Sequence, residues 1–228
     1  NPVYLQRLAN SITNQVYRNF SWVIVPNNGI VLPELKLPSM TEIIPYYGKT
    51  NNIGEIKSFC CSQTNADILV EVDHDDEITP NCLSRIAEEF EQDPELDFVY
   101  SNFVEIKNGG PNKYDSKFGF IYRDFNWAGL NLSEFICFPP NPESFSKVWY
   151  APNHVRAWRR EFYNKIGGHD KNMHVLDDHD LLCRTYIHGK VKHIDECLYI
   201  YHVHDKNYCA SPEVNQLIQE ETLNINDK

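Results

Sequence analysis

The chain has 228 residues, 42% of them hydrophobic and 23% charged, enough to bury a core as one domain or two small ones. Its 21 Lys and Arg against 32 Asp and Glu give a net charge of −11, which argues against a general affinity for nucleic acid or anionic lipid. Seven cysteines without a C-x-x-C pair speak against a disulfide framework or a ribbon-type zinc site, and for a reducing compartment.

The opening residues do not read as a signal peptide, and no apolar run approaches the roughly 18–20 residues of a membrane span. The expectation is a soluble, cytoplasmic protein, or one peripheral at the cytoplasmic membrane face. Along the chain, Leu5, Leu8, Ile12 and Val16 mark an amphipathic helix over 3–17. Residues 21–25 (SWVIV) read as a short buried strand stopped by PNNG, and Ile43, Ile44 and Tyr46 as a second. A weaker helical pattern covers 52–64. Residues 67–72 (DILVEV) form the clearest strand, an apolar run broken only by Glu71, as expected near the centre of a parallel sheet. Thr79 as N-cap and Pro80 at the first helical position start a helix through Leu83, Ile86, Ala87 and Phe90. Residues 97–101 are a strand; 108–150 are loop-rich and aromatic. Helices follow at 156–166 and 178–187, then strands in KVKHID and LYIYHVH, then a helix after Ser211-Pro212. Strands alternating with helices predict an α/β sheet, whose ligands sit outside the carboxyl ends of the strands.

Three features could carry chemistry. Residues 73–76 (DHDD) follow the clearest strand, and alternate positions of an extended end let Asp73 and Asp75 share a face. Such oxygen ligands suit Mg²⁺ or Mn²⁺, while a solvated turn and a helix N-terminus account well for Asp76 and Glu77 but poorly for Asp73. In VLDDHDLLCR, one of Asp177 and Asp178 could cap a helix; three acids, with Asp180, exceed what capping needs. In YIYHVHDKN, His202 and His204 alternate at a strand end, as ligands or phosphate contacts would. A zinc site among the remaining histidines lacks any close ligand spacing.

In this order the features resemble the family 2 glycosyltransferases of the GT-A fold. NPVYLQRLANSITNQVYRNFSWVIVPNNG is similar to the family's opening helix and second strand, ADILVEVDHDDEITPNCL to its D-x-D segment, WRREFYNKIGGHD with LDDHDLLCRTYIHG to its acceptor-side motif, and LYIYHVHDKN to its closing strand. The resemblance implies a GT-A (Rossmann-like), mostly parallel central sheet flanked by helices, over residues 1–210. A donor half would cover about 1–105, an acceptor half about 106–210, and a C-terminal helix and tail 211–228. It also implies a nucleotide-sugar donor (UDP-, GDP- or dTDP-linked), Mn²⁺ or Mg²⁺, and inversion at the sugar. The acceptor would be a glycan, a lipid-linked group or a protein. Carried onto this sequence, Asp75 and His204 would hold the metal, and Asp73 the ribose or sugar. Asp178, or next Asp177, would be the general base. Asn27, Asn28 and Asn52 would lie on the donor side; Trp149, His154 and Asp180 on the acceptor side.

The family's first strand is missing from the sequence, so either the chain was excised from a longer multidomain protein or its start is unusual. Asn27 and Asn28 stand where the family has acids that bind the base, and Asp177 stands where it has Glu. Two other classes stay open. A nucleotidyltransferase would want a Gly-rich or basic triphosphate segment that PNNG barely offers. A non-catalytic glycan-binding module would have no use for both acidic knots.

Overall fold

A computed structural model describes residues 2–48, 50–205, 207 and 211–226. Helix α1 (Pro2–Thr13) turns Leu5, Leu8, Ala9 and Ile12 inward, as their spacing predicts, but stops short of 17. Val16 is 61% exposed, because buried Gln15 turns the chain by donating to the carbonyls of Ser11 and Thr79. Strands β1 (Trp22–Ile24) and β2 (Thr41–Ile43) pair in parallel and form a small sheet of their own, β1 half-buried and β2 largely exposed rather than core. Helix α2 (Ile53–Ser62) leads to β3 (Ile68–Glu71) and the short β4 (Glu77–Ile78). Helix α3 (Cys82–Gln92) has Asn81, not Thr79, in the cap position.

Strand β5 (Phe98–Lys107) runs on well past residue 101 and is buried along nine of its ten residues. After β6 (Gly110–Pro111), the loop-rich region contains a hairpin, β7 (Ile121–Trp127) and β8 (Leu130–Ile136). Its two-residue turn, Ala128-Gly129, has φ of 49° and 80°, the pair of positive values that matches strand twist. Then come α4 (Pro142–Ser146), β9 (Arg156–Arg159), α5 (Arg160–Lys165), α6 (Asp177–His188), β10 (Val191–Val203) and α7 (Pro212–Asn226). The two strands expected at 190–204 are thus one, with register shifts between Ile194 and Tyr199.

The main sheet runs β3-β9-β5-β10-β4, with the hairpin and β6 attached to β5. It is mixed rather than mostly parallel: β10 is parallel to β5, while β9 is antiparallel to both β3 and β5. The strand expected near the centre, β3, therefore ends the path, because residues 156–159 are not helical and insert beside it. Alternation along β5 builds a core on each face. Phe98 and Tyr100 join Phe145, Trp158, Phe162 and Leu181 on the α4–α6 side. Val99 and Phe103 join Leu8, Ile12, Ile86 and Phe90 on the α1–α3 side. Between β1 and β3 lies a cavity of about 1070 Å³ lined by Trp22, Val70 and Phe90 among others. Among the described residues no helix is long and apolar enough to cross a membrane.

Candidate active site

The first acidic cluster lies where β3 gives out. The strand ends at Glu71 and residues 73–76 turn, with the Asp76 amide donating to the Asp73 carbonyl (3.3 Å). Asp73 and Asp75 therefore do not share one strand face. Asp73 Oδ2 faces His154 Nε2 at 3.8 Å, and Asp75 Oδ2 lies 2.9 Å from His204 Nε2. His204 is stacked on Tyr4 of α1 (4.9 Å), and Arg7, one turn on, donates to the Asp75 carbonyl (2.5 Å). The pairing of the D-x-D segment with the second histidine of HxH thus brings together residues 129 positions apart.

Asp76 and Glu77 do not serve a helix N-terminus, since α3 begins five residues after Glu77, at Cys82. Asp76 is fully buried and accepts from the Tyr199 hydroxyl (2.8 Å) and the His202 amide (2.8 Å). Burial, with Asp73 nearby, pushes its carboxyl up to about 8 against those two donors. Glu77 holds the other histidine, with His202 Nε2 at 2.9 Å and Arg7 Nε at 3.5 Å. The two histidines of HxH accordingly have different tasks: His202 fastens β10 to β4, and His204 faces Asp75.

The second cluster opens α6, whose cap position is Leu176 in left-handed backbone (φ 59°), so neither Asp177 nor Asp178 caps the helix. Asp178 Oδ2 receives Arg156 Nη1 (2.9 Å) and its Oδ1 receives the His179 amide (2.8 Å). Asp177 points inward, 3.7 Å from His169 Nε2 and 3.9 Å from Lys57 Nζ. Burial pushes Asp177 up to about 7. Asp178 is pushed up by burial too, but Arg156 and then Lys57 outweigh that and hold it well below the usual carboxylate range. Their side chains are 5% and 33% exposed, so only Asp178 is open to a reactant.

Glu71, the single charge in the apolar strand, joins the clusters. It contacts Lys57 Nζ, lies 3.7 Å from Arg156 Nη1 and 3.6 Å from His154 Nε2. Contacts therefore run from Asp73 through His154, Glu71 and Arg156 to Asp178. Glu71, Asp73 and His154 bring one ligand atom each within 4.8 Å, a grouping that could hold a cation. Lys57 and Arg156 already supply two positive charges to Glu71 there, so a metal fits this trio poorly. Asp75 Oδ2 and His204 Nε2, 2.9 Å apart, are a carboxylate and an imidazole of the types that suit such a cation better.

The remaining expected residues scatter. Asn27 donates to the Thr50 carbonyl (3.1 Å), Asn28 to Asn51 Oδ1 (3.4 Å) and Asn52 to the Lys171 carbonyl (3.2 Å). Asn27 and Asn28 tie the carboxyl end of β1 to the residues before α2, beside a cavity of about 530 Å³ lined by Asn28, Tyr46 and Tyr47, whereas Asn52 ties the start of α2 to the segment before α6. Trp149 is 54% exposed. His154, expected on the acceptor side, is buried against Asp73 and stacked on Tyr199 (5.0 Å). Asp180 binds Arg184 (2.5 Å), which donates to the carbonyls of Ile166 and Gly168, so its contacts are structural. Lys57 and Arg156 escaped the sequence reading, and His169 entered it only among the histidines of the zinc site it set aside. The one available signal was Glu71, since a carboxylate in a buried strand requires a partner.

The family model described as Glycosyl transferase family 2 matches residues 2–167. Among solved structures, S. aureus TarS 1-349 in complex with UDP-GlcNAc matches with a TM-score of 0.66 and 15% identity, over 97% of this chain and 63% of that one. TarS 1-349 alone gives 0.64 and 14%, over 97% and 61%. GalNAc-T7 with UDP, GalNAc and Mn²⁺ gives 0.56 and 12%, over 88% and 41%. At such identities the likeness shows the fold, an α/β GT-A sheet flanked by helices, and the chain spans only 61–63% of the length of TarS 1-349. No curated protein matches the chain in sequence.

Proposed function

The chain belongs to glycosyl transferase family 2, and on that basis we propose that it moves a sugar from a UDP-linked donor to an acceptor hydroxyl with inversion at the anomeric carbon. UDP is chosen because the TarS and GalNAc-T7 structures carry UDP or UDP-GlcNAc. The observation that supports the reading best is the run of contacts joining the two acidic clusters, from Asp73 by way of His154, Glu71 and Arg156 to Asp178. It sets a donor-side carboxylate and a base candidate at two ends of one polar seam.

In this reading Asp178 takes the proton of the acceptor hydroxyl. The acceptor oxygen bonds to the anomeric carbon from the face opposite the diphosphate, and the breaking C–O bond leaves its electron pair on the phosphate oxygen. A positioned carboxylate contributes about 10²- to 10⁴-fold to such a step. Asp75 and His204 would hold a divalent cation, Mn²⁺ or Mg²⁺, which would supply counter-charge to the departing diphosphate. Asp73 is the ribose or sugar contact, and Asn27, Asn28 and Asn52 border the donor. Residues 1–105 serve the donor and 106–210 the acceptor, with His204 crossing over to the donor side on β10. The acceptor hydroxyl, borne by a glycan, a lipid-linked group or a protein, enters past Trp149.

Calorimetry of UDP-GlcNAc and UDP-GalNAc with and without Mn²⁺, beside an assay for released UDP, tests this. Metal-dependent binding and turnover are expected, both lost in Asp75→Asn. If neither donor binds in the presence of Mn²⁺ or Mg²⁺, the reading fails.

A further inference from the structure

Asp177 and Asp178 are neighbours in sequence, yet their surroundings separate them. Asp178 is faced by Glu71 from β3, Lys57 from α2, His169 from the turn before α6 and Asp177 from its own helix. Two of these four are acids, and both work against a charged Asp178, as burial works against a charged Asp177.

Arg156 sets Asp178 apart. It stands on β9, 5% exposed, with Nε donating to the Pro152 carbonyl (3.0 Å) and Nη1 to Asp178 Oδ2 (2.9 Å). The guanidinium is thereby fixed at one end by main chain and cannot follow a side chain that swings away. The other oxygen, Oδ1, is taken by the His179 amide (2.8 Å), so Asp178 is pinned at both oxygens while a third of its side chain stays open. Glu71 Oε2 lies 3.7 Å from the same Nη1.

We propose that Arg156 is a positioning residue for the proton acceptor: it fixes the Asp178 carboxylate in one orientation and supplies its counter-charge. The inference rests on the transferase reading for what Asp178 does, but not for how it is held. When the acceptor proton moves to Asp178, Arg156 loses that counter-charge and retains Glu71 as its partner. Glu71 is thus the standby anion that keeps a buried guanidinium from being stranded. An arginine is required rather than a lysine, because a single ammonium cannot bond Pro152 and Asp178 at once in a fixed fork.

The test separates the two layers. Carboxyl ¹³C NMR of protein labelled at aspartate, without ligand and assigned with Asp178→Asn, reads the titration of Asp178 directly. In the wild type its signal should stay flat down to about pH 4; in Arg156→Gln the midpoint should rise by more than one pH unit, and in Arg156→Lys it should stay low. An unmoved midpoint in Arg156→Gln overturns the proposal whatever reaction the protein performs. The pH profile of UDP release from UDP-GlcNAc or UDP-GalNAc with Mn²⁺, whichever donor turns over, then reads the catalytic layer. Its acid limb should move up with the NMR midpoint in Arg156→Gln. Arg156→Lys should keep the limb and lose about 10-fold in kcat with KM little changed, from misorientation alone. If Arg156→Gln does not fold, Arg156→Lys decides: wild-type kcat there overturns the positioning role. A shifted NMR midpoint with an unmoved acid limb overturns Asp178 as proton acceptor and leaves the Arg156 pairing standing.

Discussion

Residues 73–76 and 177–180 each crowd three carboxylates into four positions, and they relieve the repulsion by opposite means. In the first cluster the partners are uncharged or weakly basic: a tyrosine hydroxyl and a main-chain amide for Asp76, imidazoles for Asp73 and Asp75. In the second, every acid has a resident cation: Lys57 for Asp177, Arg156 for Asp178, Arg184 for Asp180. Exposure does not explain the contrast, since each cluster has one half-open acid, Asp73 or Asp178, and two more buried ones. The neighbouring elements do: α2, β9 and α6 each bring a cation to the second cluster, whereas β10 and its end bring a tyrosine and histidines to the first. In the proposed function the first cluster would take up a cation and the second would hold the proton acceptor.

The contrast breaks first if Asp75→Asn spares activity. We expect Mn²⁺-dependent UDP release to fall by about 10²- to 10³-fold, with the unfolding free energy in urea within about 0.5 kcal/mol of wild type. Lys57→Met should do the reverse to the fold. Leaving Asp177 without its cation and Glu71 with Arg156 alone should cost about 3 kcal/mol in urea unfolding. A loss below about 1 kcal/mol would mean the buried acids do not depend on it.

Proton linkage sharpens the difference further. An acid whose folded value lies above its unfolded one, near 3.8, lends stability at low pH that is lost as pH rises to the folded value, here about 7 for Asp177. Asp178, depressed by Arg156, behaves oppositely, keeping its contribution at neutral pH and losing it only in strong acid. Asp177→Asn should therefore gain on wild type steadily between about pH 4 and 7 in urea titrations and no further above that. A flat difference across the window would show that Asp177 does not carry the shifted proton. The smallest effect belongs to Glu77→Gln, where weakened contacts to His202 and Arg7 should cost about 1 kcal/mol and leave UDP release unchanged.

Much of the frame could be read from local pattern: α1, α3 and β3 announce themselves by periodicity. What failed had non-local causes. Arg156–Arg159 looks helical because it precedes Glu161 and Phe162, yet it pairs with strands about 60 and 90 residues earlier, and only that pairing makes it β9. The hairpin at 121–136 hides because its turn is Ala-Gly, with alanine in left-handed backbone, instead of the usual Asn-Gly. In the site, the acids declared themselves by clustering, whereas Lys57 and Arg156 are single cations whose meaning depends on elements far along the chain. Asp76 was misjudged for the same reason, its partners Tyr199 and His202 being more than 120 residues away.

Gly54 gives the assembly its mechanics. It lies in the first turn of α2, so near the 170–177 segment that a β-carbon there would stand 2.1 Å from the Asp170 carbonyl oxygen and 3.1 Å from Asp177 Cβ. Two residues before it, Asn52 holds the Lys171 carbonyl, and three residues after it stands Lys57. Helix α2 and the entry to α6 therefore meet backbone to backbone at this point. A methyl restored at Gly54 would act as a wedge between the helix that carries Lys57 and the one that carries Asp177 and Asp178.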